Sequence, residues 1–363
     1  MVFIFSMGFG AKASAATFYA SSTGSNTAPY DTWEKAATSI QTAIDALATS
    51  GDEVVVNDEV WDLATPLTTA SISLAGNGAF TVRSKSGNPL LSVLRSTAAD
   101  QTLIDHDEAS RTYDITFSGI GMTKTVPHTT TTVPALVFAN QRGDVILSAC
   151  RIYDVDINIG TSSVSGTVIR AGGASKTVII NGGTTITGIS ITAGGYYSLI
   201  SSGLAADLVL SFVGFSDIDV TVGGAATANS TGMVYARKSM TLSDVTISDV
   251  TSTYSSASTG AHRGFFYTES TTLPLTVTNV TASNLTWTGG EIHGALFQAL
   301  GPFTVSGLTF SSSLIEENVT NGLGGAFVSY GNSATGTIED ITVHDVICQH
   351  GCAVYCSQGG CNC

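Results

Sequence analysis

The chain has 363 residues, 43% of them apolar and only 12% charged, a composition that supplies a continuous core and excludes solvated disorder. Its 28 acidic against 14 basic side chains leave a formal net charge of −14, so a phosphate backbone is repelled and nucleic acid is excluded as a partner. Ser, Thr and 39 Gly take the place of the missing charge; such residues suit strands and tight turns better than exposed helices.

Residues 1–15 run from an apolar opening into Ala13-Ser14-Ala15, the small-residue pattern of a signal-peptidase site. A signal peptide and an extracellular or cell-surface location are expected. No later run reaches the ~20 apolar residues that cross a bilayer, so no membrane span is expected. Residues 16–62 read as an N-terminal cap. Thr17-Phe-Tyr-Ala-Ser is a strand, and a helix is predicted from Trp33 to Ala48 because Ile40, Ala43, Ile44 and Leu47 share one face. Asp31 and Glu34 supply a capping signature at its start and Gly51 a stop at its end. Glu53-Val-Val-Val opens the first coil.

Residues 63–347 repeat. An apolar strand start recurs with Leu103, Leu136, Val168, Leu199, Val234, Phe266, Leu296, Phe327 and Val354 as its second column, at spacings of 27 to 35 residues by subtraction. A second ladder starts at Cys150, Thr184, Val213, Val245, Val280 and Ile341, alternates apolar with polar, and breaks at a turn-former. The breaks put Asp154, Asp217, Asp249, Asn284 and Asp345 in one register. Propeller blades need four strands and longer repeats, and a sandwich imposes no register between successive strands. Strands stacked ~4.8 Å apart in a solenoid do impose one. The fold class is therefore all-β: a right-handed parallel β-helix (β-solenoid) of roughly thirty-residue coils, closed at its N-terminal end by an amphipathic capping helix.

Residues 348–363 hold Cys348, Cys352, Cys356, Cys361 and Cys363. In an exported chain the expectation is a disulfide-stapled C-terminal cap or a truncated extension. The odd number leaves a thiol for a partner molecule, and the incomplete last coil allows self-association through this end, as in an end-to-end filament subunit. Cys150 occupies the register of Val213 and Val245 and is expected in the core.

Enzymes on such a scaffold need a base or two or three close carboxylates. The best candidates are Asp105 and Asp107 in the run Asp105-His106-Asp107-Glu108, with Arg170 at the Asp105 register two coils above. His262-Arg263 with Glu269, and Glu291 with His293, are expected to form a polar patch on successive turns. No cofactor and no metal site is expected, because nucleotide-loop, nucleophile-elbow and paired-histidine motifs are missing from the sequence. Sequons stand at Asn229, Asn279, Asn284 and Asn318.

Small-residue strand starts such as Gly324-Gly-Ala-Phe, with Cys150-Arg-Ile-Tyr-Asp, Phe215-Ser-Asp and Asn284, resemble the polymorphic membrane protein repeats of chlamydial adhesins. The segment Phe18 to Asp62 is similar to the leading segment of right-handed β-helix, pectin-lyase-like proteins. The resemblance implies the fold and an exported location, and adhesion to a glycan or protein at a surface. The expected function is a non-enzymatic adhesin-like or structural module; the alternatives are a polysaccharide lyase or glycosidase and the filament subunit.

Overall fold

The computed structural model describes residues 14–70, 72, 74, 78–106, 113–129, 134–139, 143–159, 166–171, 177–194, 197–203, 206–223, 232–255, 261–316, 327–329, 335–348, 354–356 and 361–362. They form a parallel β-solenoid. A 17-stranded sheet and a 10-stranded sheet run the length of the molecule, with a small two-stranded sheet beside them. Each strand pairs in parallel with its equivalents one coil below and one coil above, as in the series Asp207–Val222, Met240–Tyr254, Leu275–Thr288 and Phe303–Glu316.

One coil shows how the sequence makes the shape. The strand Met240–Tyr254 is bent at Asp244 and Asp249, which adopt φ of 52° and 54°. The bends divide it into three facets, 240–243, 245–248 and 250–254. Met240, Leu242, Val245, Ile247, Val250 and Tyr254 point inward and are buried, while Thr241, Ser243, Thr246, Ser248, Thr251 and Thr253 face outward, as alternation requires. A single left-handed residue turns the chain without disturbing the ladder, and Asp, Asn and Gly enter that conformation with the least steric penalty. Asp154, Asp217, Asp249, Asn284 and Asp345 all stand at φ between 52° and 56°, joined by Gly188 at 63° and Ser312 at 49°. A parallel corner column runs through Phe212, Asp244, Asn279, Gly307 and Asp340. Side chains link the rungs: Asn279 Nδ2 donates to Asp244 Oδ1 at 3.2 Å and Asn284 Nδ2 to Asp249 Oδ1 at 3.1 Å.

The 10-stranded sheet closes the coil on its remaining side, and its register differs from the apolar column read from the sequence. Ile104, Val137, Ile169, Ile200, Val234, Phe266, Phe297, Phe327 and Val354 are stacked. Leu103, Leu136, Val168, Leu199 and Leu296 lie one residue earlier, so the predicted column slips between the two rows. The slip left no trace in polarity because both rows are buried: Leu199 and Ile200, and Leu296 and Phe297, are each 0% exposed. Inside, Phe266 stacks on Phe297 with centroids 5.4 Å apart, and Phe215 meets Phe265 edge-on at 5.1 Å. Cys150 is part of this core, its thiol pushed up to about 11 by burial.

The N-terminal cap corrects the expected helix. Helical backbone is confined to Ile40–Asp45, six residues with Ser39 as N-cap, whose Oγ accepts from Thr42 N at 3.1 Å. Asp31 and Glu34 cap nothing; Asp31 pairs with Lys35 at 2.9 Å. The reason lies in the backbone: Ala37 donates to Tyr19 O and Ser21 to Ala37 O, so residues around Ala37 bridge to the strand Thr17–Ala20 and cannot also close helical turns. Gly51 does not end the helix, which stops at Ala46. Buried Asp52 instead organises the cap, accepting from Ala16 N at 2.8 Å, Ala48 N at 2.9 Å and Thr49 N at 2.8 Å.

At the other end, the strand Gly336–Cys348 leaves Ile341, Val343, Val346 and Cys348 half-buried. Cys352, Cys363 and the side chains of Cys356 and Cys361 lie outside the described residues, as do residues 1–13 of the expected signal peptide. No helix among the described residues is long and apolar enough to cross a membrane.

Candidate functional site

The outward column of the 10-stranded sheet carries Asp105, Arg170, Ser201, Tyr235, Tyr267 and Gln298, and its backbone register passes through position 138 between the first two. Asp105 and Arg170 thus share a column, two rungs or ~10 Å apart by stacking geometry. His106 turns inward, is buried, and shares a hydrogen bond between Nδ1 and Thr69 Oγ1 at 2.8 Å. Asp107 and Glu108 lie outside the described residues. The described part of this column offers one carboxylate, whereas glycoside hydrolysis uses two.

The expected polar patch forms higher on the same face, but without His262. Tyr235 and Tyr267 stack with centroids 5.5 Å apart, and the Arg263 guanidinium lies 4.1 Å from the Tyr267 centroid. Glu269 accepts from the Tyr235 hydroxyl and from Arg237 Nε, the latter at 2.8 Å. Burial raises the Glu269 carboxyl pKa, but the hydrogen bonds from Tyr235 and Arg237 outweigh it and the net displacement is downward. A carboxylate held ionised in this way is a poor proton donor. Arg263 is in register with His293, whose Nε2 lies 2.7 Å from Glu291 Oε1. His262 points the opposite way along its strand, buried and stacked on Tyr254 at 3.5 Å between centroids.

A third feature was not anticipated. An open groove of about 480 Å³ lies on the middle facet, lined by Asn88, Pro89 and Leu90 on one side and by Arg151, Thr185, Thr187 and Ser216 along its floor. The wall is fixed: Asn88 Oδ1 accepts from Leu90 N at 3.0 Å, and Gly121, directly below Arg151 in the ladder, leaves room for the Pro89 carbonyl, which a Cβ there would meet at 2.3 Å. Leu90 is 57% exposed at the rim. Arg151 lies with its guanidinium 4.8 Å from the Tyr153 ring centroid. Above Arg151 the column continues through Thr185, Gly214, Thr246, Thr281 and Thr309, and above Tyr153 through Thr187, Ser216, Ser248 and Ser283.

The groove is short of negative charge. None of the residues lining it is a carboxylate. Arg83, Arg95 and Arg237 each hold an acidic partner, at 2.7, 2.5 and 2.8 Å, while no described carboxylate comes within ion-pair distance of Arg151. Asp154, three residues on, lies along the corner, its Oδ1 2.8 Å from where a Cβ of Gly188 would be. Among the described residues no group of three or more His, Cys, Asp or Glu could hold a metal ion. The signal for this site was in the sequence: within the repeated segments, Arg151 stands in a column that otherwise carries Thr or Gly.

No protein-family model matches the chain, and no curated protein matches it; the likeness to chlamydial repeats is therefore not shown. Among solved structures the chain is similar to one described as the Agl-KA catalytic domain. The identity is 14%, with 87% of this chain and 65% of that chain covered, at a TM-score of 0.29. A likeness at that level decides nothing about chemistry.

Proposed function

We propose that this chain is an extracellular, non-enzymatic β-solenoid module that binds glycans along its middle facet. The observation that carries the reading is the groove at Arg151: a fixed wall, a planar cation laid on an aromatic ring, and a floor of hydroxyls with no carboxylate among the lining residues. Hydroxyls and a guanidinium exchange hydrogen bonds with sugar hydroxyls, and Leu90, exposed at the rim, offers apolar surface to a pyranose face. A site that grips without a pair of acids binds rather than hydrolyses. The two-dimensional regularity of the facets suits a surface protein whose ligand is extended.

A second reading, a lyase or glycosidase, is favoured by one observation, the alignment of Asp105 and Arg170 in a single outward column. One experiment separates the two. In a glycan screen of the purified chain that scores binding and the release of reducing or unsaturated ends in the same wells, binding without release is expected. Turnover that disappears in Asp105→Asn or Arg170→Gln would overturn the binding reading and establish the enzymatic one.

A further inference from the structure

We propose that the ligand of the middle-facet groove is a mostly neutral glycan that presents a single carboxylate to Arg151. The proposal rests on the glycan-binding reading and adds the chemical class that the groove selects.

A guanidinium in a chain of net charge −14 has many carboxylates available, and Arg83, Arg95 and Arg237 have taken one each. Arg151 is held instead against the Tyr153 ring, an arrangement that orients the planar fork while leaving its N–H edge for another acceptor. The positions around it are neutral: Gly121 below, Thr185 above, Thr187 and Ser216 beside it, and Asn88, Pro89 and Leu90 as the wall. Asp154 lies along the corner towards Gly188. The fork is therefore set to receive a planar, two-oxygen anion in a bidentate contact.

The whole molecule limits how much negative charge that ligand can carry. A net charge of −14 repels a polyanion at long range, so a polymer acidic at every residue meets one favourable contact and many unfavourable ones. A chain that is neutral along the hydroxyl columns and acidic at one sugar meets the favourable contact alone.

The test uses the full chain and three probes in calorimetry: a neutral oligosaccharide ending in one hexuronic acid, the methyl ester of the same compound, and a polyuronate. The acid is expected to bind at least about tenfold more tightly than the ester, or ~1.4 kcal/mol. The polyuronate is expected to bind no better than the acid. Arg151→Gln should bring the acid down to the level of the ester, and on the unmodified chain added salt should weaken the acid while leaving the ester unchanged. Equal affinity for acid and ester, or a preference that survives Arg151→Gln, overturns the proposal while the glycan-binding reading stands. Failure of all three probes to bind overturns both.

Discussion

His262 is stacked on Tyr254 and buried, and burial together with neighbouring His293 holds its pKa down at about 3. The unfolded chain takes up a proton on this residue near pH 6.5, while the folded chain stays neutral there. Stability is therefore unaffected by this group above pH 6.5 and is lost as pH falls from 6.5 towards 3, by up to about 1.4 kcal/mol per pH unit. His262→Phe, which keeps a ring against Tyr254, is expected to flatten that part of the profile relative to the unsubstituted chain, as read by chemical denaturation at several pH values. An unchanged slope would show that the imidazole is not what titrates. The sequence placed His262 and Arg263 together in a patch; strand alternation over Ala261–Arg263 instead sends one inward and the other out. That short strand carries no apolar pattern of its own, so its alternation was invisible until its partner Glu291–His293 was seen beside it. Arg151 was missed for a different reason: its segment was read for its alternation, and the wall that makes its outward side chain part of a groove comes from residues some sixty positions earlier.

The corner is the element on which the solenoid depends. Asp249 holds φ at 54° and accepts a hydrogen bond from Asn284 one coil above. Asp249→Val places a β-branched residue in the left-handed region and is expected to cost about 1–2 kcal/mol. Asp249→Gly, which copies what Gly188 does in the same column, is expected to cost less than the valine variant in the same urea titration. Equal losses would mean that the hydrogen bond rather than the backbone angle matters. The corners at Asp154, Asp217, Asp249, Asn284 and Asp345 were legible because these residues announce a turn; the parallel column through Asp244, Asn279 and Asp340 was not read although it carries the same residue types, and Ser312 and Phe212 gave no sign, since neither residue type signals a left-handed conformation. The long cap helix was over-read on the same principle. Periodicity over Ile40, Ala43, Ile44 and Leu47 is real, but backbone hydrogen bonds from Ala37 to the first strand pre-empt the turns that precede Ile40, and such long-range competition leaves no local mark.

At the scale of the molecule, the parallel ladder was the most legible feature, because stacking imposes a common register on residues about thirty positions apart. The groove was not, since its wall comes from residues 88–90 and its floor from residues of three later coils. The backbone hydrogen bonds between coils point along the solenoid axis, from the strand Glu53–Val56 to the last described strands. Tension applied to the two ends therefore loads these bonds a few at a time, by peeling, rather than all together by shear. A tethered chain of this kind would give way coil by coil under force, each event releasing roughly 100 Å of contour for about thirty residues. A surface protein built so would behave as an extensible tether, dissipating a pull in equal steps while the coils still wound keep their facets intact.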